Sequence, residues 1–161
     1  MKSSRVLRSG FGVVEMLIGA AVLSVSLLGI ANFFQTALRA SGTTQAAVQG
    51  DYLLEEGVET TKIFRDLSYT NNFIKISTTT NYYFAWGGTN WATTTTNTFI
   101  DGKFERKLTF TDVKRDVNSD ISSSGTYDPD TKLVTVSVAW AGPSGTTTHS
   151  IQTYITNIFN N

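Results

Sequence analysis

From Met16 to Leu38 the chain runs for 23 residues without a charged side chain or a proline, and Glu15 stands directly before that run. About 20 predominantly apolar residues suffice for a helix to cross the hydrocarbon core of a bilayer. Lys2, Arg5 and Arg8 precede the segment, and the first ten residues contain no acid. Basic flanks stay on the cytoplasmic side, so the expected topology is a single pass with the N-terminus inside and almost everything after Arg39 outside. Two general readings account for such a segment. A cleaved secretory signal has an apolar stretch of about 7–15 residues and a small-x-small cut site. Ala40-Ser41-Gly42 supplies the small residues, but the run is too long and Arg39 sits before the cut. An uncleaved signal anchor explains the length but not Glu15.

Glu15 is costly in this setting. An acid at the centre of a membrane helix costs about 2.5–3.5 kcal/mol, and less near an end, and an intramembrane acid points to function. It needs a cation, and none follows it within helical reach. Arg8-Ser9-Gly10-Phe11-Gly12-Val13-Val14-Glu15-Met16-Leu17-Ile18 resembles the N-terminus of a type IV prepilin or pseudopilin. The resemblance implies a basic leader ending at Gly10, cut by a prepilin peptidase, and a new N-terminal Phe11 that becomes N-methylated. It also implies a role for Glu15 in subunit assembly. Cleavage would create a basic amine on Phe11, which Glu15 of a neighbouring subunit can meet. Such a pair sets register more than it adds stability, because removing one member of a buried pair costs about 3–5 kcal/mol while the pair itself is near neutral. Most assembly energy should come from helix packing, with Gly19, Ala20, Ala21, Ser24, Ser26, Gly29 and Ala31 allowing close approach. Loss of Lys2, Arg5 and Arg8 leaves 10 basic and 13 acidic residues, a formal charge of −3.

Beyond the apolar run, Gly29–Asn32 and Ser41-Gly42-Thr43-Thr44 are weak helix formers. From Gln45 to Leu67, the residues Ala47, Gly50, Leu54, Val58, Thr61, Phe64 and Leu67 recur at three- and four-residue spacing, which predicts an amphipathic helix. Asp51, Glu55, Glu56 and Glu59 come early, and Lys62 and Arg65 late, as the helix dipole favours. The whole helix from Phe11 to Leu67 would measure about 85 Å at 1.5 Å per residue. Leu53-Leu54-Glu55-Glu56-Gly57-Val58-Glu59 also resembles the corresponding helix of minor pilins.

The C-terminal half alternates with period two, which predicts strands over Lys103–Lys114, Lys132–Ala141 and Thr146–Ile158. Phe104, Leu108 and Phe110 share one parity, as do Val134, Val136, Val138 and Trp140. Gly142-Pro143-Ser144-Gly145 reads as a hairpin connection, and Asp128-Pro129-Asp130 as a turn. A three- or four-stranded meander packed on the outer helix is expected. Ser68–Asp101 is rich in threonine and aromatics. It reads as a connection with a short hairpin whose aromatics cover the helix edge, or as an adhesive surface patch around Tyr82–Trp91, or as a glycosylated threonine tract.

Several functions lack support in the sequence. There is no cysteine, and His149 is the single histidine, so thiol chemistry and a His-rich metal cluster are excluded. Asp116-Val117-Asn118-Ser119-Asp120 begins like a calcium loop, but Ile121 and Tyr127 replace the glycine and glutamate that such a loop needs. A net charge of zero argues against nucleic-acid binding. No catalytic motif and no cofactor site is apparent.

The expected fold is α+β and pilin-like, a long N-terminal helical spine whose outer half packs on a small antiparallel sheet. The expected divisions are a leader over 1–10, a membrane or filament-core half-helix over 11–42, and a globular head over 43–161. The expected role is a non-enzymatic subunit, a minor pilin or pseudopilin, of a type IV pilus or a related secretion or DNA-uptake filament. Its partners would be prepilin peptidase, other pilin subunits, an inner-membrane assembly platform and the membrane itself. It would move from the cytoplasmic membrane to a cell-surface filament. The alternative is an uncleaved, signal-anchored binding or adhesion module.

Overall fold

A computed structural model describes residues 12–161. Gly10 and Phe11 lie outside the described residues. Helix α1 spans Val13–Leu67, and a short α2 spans Tyr69–Asn72. Six strands follow: β1 Tyr82–Trp86, β2 Trp91–Thr94, β3 Glu105–Arg115, β4 Ile121–Ser122, β5 Thr126–Gly142 and β6 Gly145–Thr156. They form one antiparallel sheet in the order β2-β1-β3-β5-β6, with β4 paired to β3. The architecture is α+β and pilin-like, a long apolar N-terminal helix with a small antiparallel sheet packed on its later turns. The boundary between the two compact units of the chain falls between Gly42 and Thr43.

The seam between α1 and the sheet is built from small residues. Ala46, Gly50, Leu53, Leu54, Gly57, Thr60 and Thr61 are the buried positions of the helix. This differs from the expected face. Gly50, Leu54 and Thr61 lie in the seam, while Ala47, Val58 and Phe64 pack only partly against the core and Leu67 is exposed. The buried face departs from the apolar spacing because the close approach to the sheet runs through Gly57 as well as the expected Gly50, and Gly57 lies off that spacing. The buried Thr61 hydroxyl donates to the Gly57 carbonyl at 2.7 Å, so its polarity is satisfied inside the helix.

The opposing face of the sheet carries Phe104, Leu108, Phe110, Val134, Val136, Val138, Trp140 and Ile155, all buried. The parity of these residues follows the sequence pattern, because side chains alternate across a strand. The sheet is larger than the expected meander. The aromatic hairpin β1–β2 joins it through Tyr82↔Leu108 and Tyr83↔Lys107, and β4 adds a short pairing. Phe84 of that hairpin stacks on Phe64 of α1, with ring centroids 5.4 Å apart and planes at 5°, so the aromatics do cover the helix edge.

Asp128-Pro129-Asp130 is not a turn that precedes a strand. It lies inside β5, where the pairing with β3 jumps from Asp112↔Lys132 to Val113↔Asp128. The extra residues form a bulge. Proline is tolerated there because its missing N–H breaks no ladder bond. Gly142 pairs with Gly145 around Pro143-Ser144, which closes the expected hairpin.

Candidate functional site

Every residue from Gly12 to Gln45 is exposed. Along this part of α1, Leu17, Val22, Leu27, Phe33 and Leu38 each show more than 60% of their surface. An apolar patch on this scale does not remain in contact with water. Among the described residues α1 is the one helix long and apolar enough to cross a membrane. Three of its hydroxyl side chains are satisfied within the helix. Ser24 and Ser26 donate to the carbonyls of Ala20 and Val22 at 2.8 Å, and Thr36 donates to that of Asn32 at 3.0 Å. A helix in an apolar surrounding must meet its hydrogen bonds in this way.

Glu15 lies in the first turn of α1, with its N–H donating to the Gly12 carbonyl at 3.0 Å. The turn position suits a carboxylate electrostatically, since the helix N-terminus carries partial positive charge. Among the described residues no cation forms an ion pair with it. The other two residues expected at this site, Gly10 and Phe11, lie outside the described residues.

The head holds its titratable groups in contacts that fasten elements together. His149 of β6 places Nδ1 2.7 Å from Asp51 Oδ1 of α1 and stands edge-on to Trp140. At the β5 bulge, Arg115 Nε donates to Asp128 Oδ2 at 2.6 Å. Lys132, almost fully buried, donates to Asp112 and to the Tyr127 hydroxyl. Burial pushes the Lys132 ammonium down, but its hydrogen bonds to Asp112 and Tyr127 outweigh that and hold its pKa above the ordinary lysine value. Burial likewise pushes Asp128 up. The bonds from Arg115 and Thr131 outweigh it and leave the carboxyl below its usual range.

A carboxylate whose folded pKa is depressed contributes stability above its unfolded pKa, and that contribution is lost as pH falls through the folded value. Asp128→Asn should therefore destabilise the head by about 1–2 kcal/mol at pH 7. It should also reduce the loss of stability below about pH 4. Urea midpoints measured from pH 2 to 7 check both effects.

The loop with calcium-like spacing caps itself. Asp116 Oδ1 accepts the N–H groups of Asn118 at 2.8 Å and Asp120 at 3.1 Å. Among the described residues no group of three or more metal-ligating side chains comes together. One buried charged residue was not anticipated from the sequence. Arg106 has the same parity as Phe104, Leu108 and Phe110 and is as buried as they are. That parity was the available signal. Comparison with family models, curated proteins and solved structures gives no match.

Proposed function

We propose that this chain is a structural subunit, a minor pilin or pseudopilin, of a type IV pilus or a related secretion or DNA-uptake filament. The observation that carries the reading is the long, fully exposed apolar stretch of α1, with one acid in its first turn and a folded head on its later turns. Before assembly the helix resides in the cytoplasmic membrane. A prepilin peptidase cuts after Gly10 and Phe11 is N-methylated. The Phe11 amine of one subunit then meets Glu15 of a neighbour, while apolar helices replace lipid as the covering of α1. An inner-membrane platform performs the extraction, and the subunit passes to the cell surface. The chemistry is done to the protein rather than by it, with no cofactor.

N-terminal sequencing and intact-mass measurement of the membrane-extracted protein test this reading. The expected mature chain begins with methylated Phe11; an intact Met1 overturns it in favour of a permanent signal anchor. Glu15→Leu should insert normally, since it removes a charge from an apolar segment. The same variant should fail to enter filaments, and incorporation at the unsubstituted level would remove the role assigned to Glu15.

A further inference from the structure

The hairpin β1–β2, the start of β3 and the later turns of α1 line a cleft in the head, away from the exposed apolar stretch of α1. Trp86 and Trp91 are register partners across the hairpin, with ring centroids 5.2 Å apart and planes at 56°. Trp91 meets Phe84 edge-on at 6.1 Å. The Arg106 guanidinium lies 5.2 Å from the Trp91 centroid and 5.7 Å from that of Phe84. Its Nη1 is 3.1 Å from Glu56 Oε1. With Phe99 on the remaining side, these residues line a cleft of about 310 Å³, at the lower end of the range for small-ligand sites.

Two features separate this cleft from ordinary core packing. Trp86 and Phe99 are 56% and 58% exposed, so large rings stand in water around the opening. Arg106, by contrast, is 3% exposed, and its Nε has no hydrogen-bond partner. Buried donors of that kind are uncommon and call for an explanation.

The chemistry favours one class of ligand. Glu56 compensates Arg106, so the site has no net charge with which to select an anion. A guanidinium offers only donors and a carboxylate only acceptors, and the two lie side by side in the cleft lining, the guanidinium against the Trp91 and Phe84 rings. A pyranose matches that arrangement. Its hydroxyls both donate and accept, and the C–H bonds of its apolar face carry slight positive charge toward the negative faces of aromatic rings. A proline-rich peptide would use the rings but leave the ion pair unused. We propose that this cleft binds a neutral sugar unit of a glycan. The proposal does not depend on whether the chain polymerises.

The test uses the full chain in a polyoxyethylene detergent, which has no sugar headgroup to compete. Lactose, maltose, cellobiose and diacetylchitobiose are titrated while tryptophan fluorescence is recorded. Trp140 is 5% exposed and lies in the core, so a change reports Trp86 and Trp91. At least one sugar should give a saturable change with Kd at or below about 1 mM. Trp86→Ala should weaken it about tenfold or more without moving the thermal midpoint, and Trp86→Phe should restore most of the affinity. The proposal is overturned if no sugar saturates below about 10 mM, if Trp86→Ala binds as tightly as the unsubstituted chain, or if a polyproline peptide binds where the sugars do not.

Discussion

Leucine in place of Gly57 should lower the stability of the head by about 3 kcal/mol, toward the upper end of what overpacking costs. A Cβ at Gly57 would lie 2.7 Å from Val136 Cγ1 and 3.2 Å from Arg106 Cδ. Val136 sits fully buried in the middle of β5, flanked by β3 on one side and β6 on the other. It cannot retreat without moving the sheet. Gly50→Ala is the milder case. Its Cβ would lie 2.6 Å from Trp140 Cζ3, on a ring that can tilt, and alanine recovers about 1 kcal/mol of helix propensity. A net loss of about 1–2 kcal/mol is expected. Combined with Trp140→Leu, Gly50→Ala should cost less than it does alone, since the ring it strikes is gone. Gly29→Ala is the control, because a Cβ there meets nothing within 4 Å. Urea denaturation of the chain in detergent reads these variants, with Trp140→Leu alone as the reference for the double variant, and a Gly57→Leu head as stable as the unsubstituted one would refute the close seam.

The two glycines divide what was legible in the sequence from what was not: Gly50 fell on the expected face and Gly57 did not. Strand faces declared themselves, since Val134, Val136, Val138 and Trp140 alternate without interruption and all four are buried. The long helix was equally plain, because no proline interrupts it. The weak formers at Gly29–Asn32 and Ser41–Thr44 are carried within α1 by their neighbours. The seam was harder to read, because a helix lying close to a sheet wants small residues, and periodicity rewards large ones. Leu67 satisfied the spacing and is exposed; Gly57 and Thr60 carried no hydropathy and are buried. Proline and two aspartates imitate a turn, and only the pairing with β3 reveals a bulge. Of the expected assembly site, the residues gave Glu15 its meaning only through the neighbouring pattern at Gly10 and Phe11. The aromatic cleft was visible as composition around Tyr82–Trp91. Its polar floor was not, because Glu56 and Arg106 are 50 positions apart and meet only when β3 lies against α1.

That pair yields an expected ordering of variants. Arg106→Ala should cost about 3 kcal/mol, mostly through lost packing, since the arginine stem lies against Gly57 and beneath two aromatic rings. Arg106→Met keeps most of that volume and should cost about 1 kcal/mol or less, because an apolar side chain can replace a buried ion with little loss. The carboxylate left behind is not stranded: Glu56 is 43% exposed and rehydrates. Glu56→Gln reverses the situation. It leaves a guanidinium that is 3% exposed with only the Leu53 carbonyl, at 3.4 Å, and two ring faces to compensate it. A loss of about 2 kcal/mol is expected, reduced from the fully buried case because one partner was already half in water. The smaller chemical change should therefore do more damage than Arg106→Met. Adding Glu56→Gln to Arg106→Met should cost almost nothing further, since no buried charge remains to be orphaned. Urea midpoints at pH 7 decide the matter, and a Glu56→Gln head more stable than the Arg106→Met head would mean that the guanidinium draws its compensation from somewhere other than this carboxylate.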